Sequence, residues 1–233
     1  MALGRISLAI AVLIGGSACD ARAQTDPIHG IFRHVLTEVA VASELPRLDS
    51  AALLPGVRRE IRIYDGFGFG GNRVTRLVEH THGVDGQFGV FWPSQNWMRV
   101  YSSPAEERRA RDEERAWDAR MSAHVDTAYD CHAIKRTRAM RVCWLPDRPD
   151  GRVAWAQLLA RLDTLGIDSI PSQGRQEHGV DGWGIIVELR TPARYRAYFY
   201  YMPDSISADA GERASARVAE AVWRALKRRL AGM

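Results

Sequence analysis

Residues 57–64 read Val-Arg-Arg-Glu-Ile-Arg-Ile-Tyr, and the period of that stretch decides the fold. Val57, Arg59, Ile61 and Ile63 alternate with Arg58, Glu60, Arg62 and Tyr64, the two-residue repeat of a strand with one face turned to a core. Working outward, Arg73 to His82 and Gln87 to Trp92 continue as two further β-rich runs. Between them lies His82-Gly83-Val84-Asp85-Gly86, whose Asp-Gly pair predicts a tight hairpin connection. Further on, Trp183 to Arg190 and Arg194 to Met202 form another strand pair joined by Thr191-Pro192-Ala193.

Helical periods surround these strands. Ile31, Phe32, Val35, Leu36 and Val39 predict a short amphipathic helix over 28–43, ending before Pro46. Trp155, Leu158, Leu159, Leu162 and Leu165 mark a core-facing helix stopped by Gly166. Val218, Val222, Leu226 and Leu230 do the same for a helix over about 208–230. Pro104 to Val125 is different, with six acids, five arginines and a thin apolar stripe of Ala110, Trp117, Met121 and Val125, so it is expected on the surface with its charges solvated. The expected class is therefore α+β: an antiparallel sheet of about six or seven strands packed against two amphipathic helices, with an additional charged surface helix.

The first residues carry an export pattern. Arg5 precedes the apolar run Ile6 to Ile14, and the small residues Gly15, Gly16, Ser17 and Ala18 follow. This run is too short to span a bilayer. Two cleavage points compete. Ala21-Arg22-Ala23 places small side chains where a signal peptidase reads them and starts the mature chain at Gln24. Gly16-Ser17-Ala18-Cys19 looks like a lipoprotein box in which Cys19 is acylated, with Gly16 where such a box prefers a Leu-like residue. The expected organisation is a cleaved leader, 1–23, followed by one globular domain, 24–233, in the periplasm, with a membrane anchor only if Cys19 is lipidated.

Composition narrows the partners. Residues 1–23 contain Arg5, Arg22 and Asp20, so the remainder carries 30 basic against 27 acidic side chains. This near balance, with arginines spread along the whole chain, gives no concentrated basic footprint and argues against nucleic acid. Cysteine use agrees with export. After cleavage only Cys131 and Cys143 remain, flanking CHAIKRTRAMRVC. A turn centred on Thr137 would set equal arms side by side and bring the two sulfurs to bonding distance.

Few residues offer chemistry. His80 and His82 are two apart in an extended segment and could supply two zinc ligands. His82-Gly83-Val84-Asp85-Gly86 recurs as His178-Gly179-Val180-Asp181-Gly182, so 82–125 and 178–230 are compatible with a duplicated hairpin-plus-helix unit, as well as with the plain frequency of Asp-Gly turns. Should the two turns converge, His82, Asp85, His178 and Asp181 would form a general-base or metal set. Trp183, Tyr198 and Tyr200 could form an aromatic platform for a sugar or peptide. Gly66 to Gly71 satisfies a GxGxxG spacing, but the β-rich stretch after it does not open the helix that a dinucleotide site needs. No GxSxG follows the leader, and no SxxK or GxxxxGK[ST] occurs. The leading expectation is a non-catalytic exported domain, without a cofactor, that binds a protein, peptide or envelope glycan. The alternative is a small periplasmic hydrolase, zinc-dependent, built on the histidine-aspartate turns.

Overall fold

In a computed structural model, residues 30–66, 72–94, 102–129, 131, 134–146, 151–172 and 183–231 are described. Four helices, α1 (Gly30–Ala42), α2 (Pro104–Tyr129), α3 (Gly151–Thr164) and α4 (Ala210–Ala231), accompany seven strands. The strands are β1 (Val57–Gly66), β2 (Asn72–His80), β3 (Gly83–Pro93), β4 (Ile134–Arg136), β5 (Met140–Trp144), β6 (Gly184–Arg190) and β7 (Tyr195–Tyr201). They form one sheet in the order β4-β5-β3-β2-β1-β6-β7, with every pairing antiparallel. This is the α+β architecture that the alternating period predicts.

The odd positions of β1 meet the expected core. Ile61 and Ile63 join Leu77, Phe88, Ile185 and Val187 beneath Trp155, Leu158 and Leu162 of α3 and Val218, Val222 and Leu226 of α4. An Arg59 guanidinium locks this layer: it donates to Glu79 at 3.0 Å, to Asp163 at 2.8 and 3.0 Å and to Asp168 at 3.0 Å, tying the sheet to the end of α3 and the turn after it. The even positions depart from expectation. Glu60, Arg62 and Tyr64 are as buried as their apolar neighbours, because α1 and the segment after it cover the second face of the sheet. There Leu36 and Val39 pack with Tyr64, Phe91, Met140, Ile186 and Phe199, and Phe32 meets the Phe199 ring at 4.4 Å. The chain thus folds as a sheet covered on both faces.

Two local predictions need correction. The hairpin between β2 and β3 is real, but His80 pairs with Gly83, so its loop is Thr81-His82, while Asp85 and Gly86 lie inside β3 opposite Val78 and Leu77. Gly86 serves close packing rather than a turn: a Cβ there would fall 2.7 Å from Trp155 Cε3 and 2.9 Å from Leu77 Cδ2. The cysteine hairpin is also shifted. Ile134 pairs with Cys143, and Thr137 N donates to Met140 O, which moves the turn toward Ala139 and leaves Cys131 beyond the end of β4. The disulfide Cys131–Cys143 nonetheless forms, with Cα atoms 6.2 Å apart, diagonally rather than across equal arms.

The charged helix α2 is exposed along most of its length, yet it is tethered. Ala110 and Val125 are buried, and Val125 packs on Cys131 and Cys143. Arg141 of β5 donates to Asp118 at 3.0 and 3.1 Å and to Glu114 at 3.3 Å. In the possible duplication, the first copy consists of β3 and α2 and the second of β6, β7 and α4, while residues 95–101 and 173–182 lie outside the described part.

Candidate functional site

The covered second face carries a row of charges that the strand register sets in line. Arg62 is opposite Arg76 of β2 on one side and Glu188 of β6 on the other, and Glu188 is opposite Ala197 of β7. Four bonds order the row in two groups, one around Glu60 and one around Glu188, with the Arg62 charge acting on both carboxyls. Glu60 Oε1 accepts from Arg62 Nε at 2.9 Å and from Arg76 Nε at 2.8 Å. Glu188 accepts from the Tyr64 hydroxyl at 3.0 Å and from the Tyr195 hydroxyl at 2.8 Å, one bond to each carboxylate oxygen. Glu60 and Glu188 are 5% exposed, and Arg62 and Tyr64 1%. Charges this deep in a protein are costly unless paired and hydrogen-bonded, and here each has a partner.

Proton affinities differ along the row. Burial drives the Glu188 carboxyl above the usual glutamate range, and the hydrogen bond from Tyr195, the charge of Arg62 and the hydrogen bond from Tyr64 offset this only in part. Burial also pushes Glu60 up, but the hydrogen bond from Arg76 and the charges of Arg62 and Arg76 outweigh it and hold that carboxyl low. Tyr64 and Tyr195 are both raised, by burial and by the adjacent Glu188 charge. Two glutamates on one face are therefore pushed in opposite directions.

The row opens into a recess of about 30 Å³ between α1, the loop after it and the sheet. Ala40 of α1 and Ala197 of β7 help line it, and their small side chains leave the space. Arg62, Glu188 and Tyr195 belong to its wall, and Arg33, Arg47 and Asp49 are its outer charged members. Arg47 and Asp49 hold each other through two hydrogen bonds of 2.6 and 3.2 Å. A space of this size admits one or two waters or a single small functional group of a larger ligand.

The residues singled out from sequence lie elsewhere. His80 Nε2 is 3.1 Å from Asp85 Oδ2, and Arg152 Nε is 3.5 Å from Asp85 Oδ1, at the hairpin end of β2 and β3. His82 is exposed in the hairpin loop rather than in an extended segment beside His80. His178 and Asp181 fall outside the described residues, as do Cys19 and the whole leader. Among the described residues, no three His, Cys, Asp or Glu side chains are grouped to hold a metal ion. Tyr198 and Tyr200 are 0% and 2% exposed in the core under α3 and α4, so neither offers a ring to solvent. Tyr200 turns inward over Gly211, where a Cβ would meet its Cζ at 3.0 Å. Only Trp183 of that trio is accessible, at 39%.

Arg62 and Glu188 are the residues that sequence reasoning passed over. Alternation assigns Glu60 and Arg62 to a solvated face. Glu188 carries the clearer signal: it is a lone acid inside Gly-Ile-Ile-Val-Glu-Leu, residues 184–189, a run apolar enough for a strand buried on both faces. No family model, curated protein or solved structure matches the chain.

Proposed function

We propose that this is an exported, non-catalytic binding domain that takes a polar group of its ligand into the recess between α1 and the sheet. One observation carries the reading: Arg62 and Glu188, paired across β1 and β6 in the buried row, both stand on the wall of a recess that Ala40 and Ala197 also line. A fixed donor beside a fixed acceptor, already ordered by neighbouring hydrogen bonds, recognises a polar group with little ordering cost. The ligand class is a protein, peptide or envelope glycan carrying such a group. Export fits the Cys131–Cys143 disulfide, and no described helix is long and apolar enough to cross a membrane.

Binding is favoured over catalysis because both tyrosine protons are held tightly and spent on Glu188, and Asp49 is tied to Arg47. The test is a thermal-shift and calorimetry panel of peptides and soluble envelope saccharides against the wild type and Ala197→Leu. Saturable binding that the variant loses supports the reading; binding unchanged in the variant overturns it. The rival zinc hydrolase, on His80, His82, Asp85, His178 and Asp181, predicts roughly one zinc per chain in untagged protein from the periplasm and a melting temperature lowered by chelator.

A further inference from the structure

We infer that the recess is a carboxylate site, in which a ligand carboxylate accepts from Arg62 and shares one proton with Glu188; this rests on the recess being where the ligand binds. Arg62 supplies the first half. Its Nε is spent on Glu60, and its Nη2, although 2.8 Å from the same Glu60 oxygen, makes no hydrogen bond of its own. This guanidinium is 1% exposed and forms part of the recess wall, so an arriving oxygen finds a donor already desolvated.

Glu188 supplies the second half. Each of its oxygens accepts one tyrosine hydroxyl and keeps a further lone pair. An ionised ligand beside an ionised Glu188 would be repelled, whereas one proton between the two carboxyls turns repulsion into a hydrogen bond. The shared proton is the one Glu188 already holds or one taken from solvent, no covalent bond forms, and complex formation takes up a proton only to the extent that free Glu188 is ionised. The groups around Glu188 are Arg62 and Tyr64 on β1, Tyr195 on β7, Arg33 on α1, and Arg47 with Asp49 on the following loop, while Glu60 and Arg76 lie one bond further along the row. Three guanidiniums against two carboxylates on the recess wall select an anion over an ammonium group. The volume of about 30 Å³ suits a flat carboxyl group better than a sugar ring or an aromatic side chain.

The test uses sodium acetate, titrated into the purified mature protein at constant ionic strength and followed by NMR of the Ala40 and Ala197 methyls at each pH unit from 5 to 9. Acetate is expected to saturate, weakening by up to about tenfold per pH unit once the pair has lost its proton. Glu188→Gln, whose amide can donate where the proton was, should bind acetate with affinity independent of pH. Acetamide is the neutral control. Wild-type acetate binding that does not vary with pH removes the shared proton and overturns the inference. Acetamide acting at these methyls where acetate does not also overturns it, while leaving the recess as the ligand site. If neither probe perturbs the recess, the inference fails; if the ligand panel is also indifferent to Ala197→Leu, the binding reading falls with it.

Discussion

Glu188 and Glu60 lie on one face of the sheet, on the neighbouring strands β6 and β1, and acid should separate them. Glu188 has its folded pKa raised, so the folded state holds that proton more tightly than the unfolded chain does. Its contribution to stability is therefore full below the unfolded pKa and is lost as pH rises through the folded one. Glu60 has its folded pKa lowered, so its contribution is present above the unfolded pKa and disappears as pH falls through the folded value. Glu188→Gln should accordingly flatten the loss of stability above the ordinary glutamate range while leaving the acid-side loss in place. Urea midpoints of wild type and variant from pH 3 to 8 check this, and parallel curves would contradict it. Arg62→Met is a harsher change, because it leaves Glu60 to Arg76 alone and removes the cation beside Glu188. It should cost about 3–5 kcal/mol in the same denaturation experiment.

At the scale of elements, two contacts decide how helices sit on the sheet. Gly86→Ala would drive a methyl into the Trp155 ring and lift α3 from β3. A loss of about 1–3 kcal/mol, with a changed near-ultraviolet signal from tryptophan, is expected. The Cys131–Cys143 bond closes a short loop of sequence separation 12 under α2. Replacing both cysteines by serine should lower stability by about 3 kcal/mol, measured against the oxidised wild type. Periodicity located the helices and most strands because apolar residues at period 2 or 3.6 report burial directly. It misplaced the Asp85-Gly86 turn because glycine there answers to Trp155, a residue about seventy positions away, which no local pattern carries. It also missed the recess. Arg62 reads as solvated until α1 is known to lie over it, and the partner that neutralises its neighbourhood, Glu188, comes from a distant strand.

The whole molecule is a sheet with unlike faces. One face is an apolar layer under α3 and α4, clamped by Arg59; the other mixes an apolar patch with a buried charged row under α1. The leader is the part of the account read from sequence alone. On the proposed export, mass spectrometry of the protein should find a mature N-terminus at Gln24, or an acylated Cys19 if the lipoprotein box is used. An intact Met1 on exported protein would contradict both. The central claim, that ligand enters between α1 and the sheet, is tested most directly by methyl NMR of alanine-labelled protein titrated with the peptide and saccharide panel. The account predicts saturable shifts concentrated at Ala40 and Ala197 and abolished by Arg62→Met under conditions where that variant remains folded. Saturable shifts centred on the Trp183 end or on the His80–Asp85 hairpin, with Ala40 and Ala197 unmoved, would contradict it.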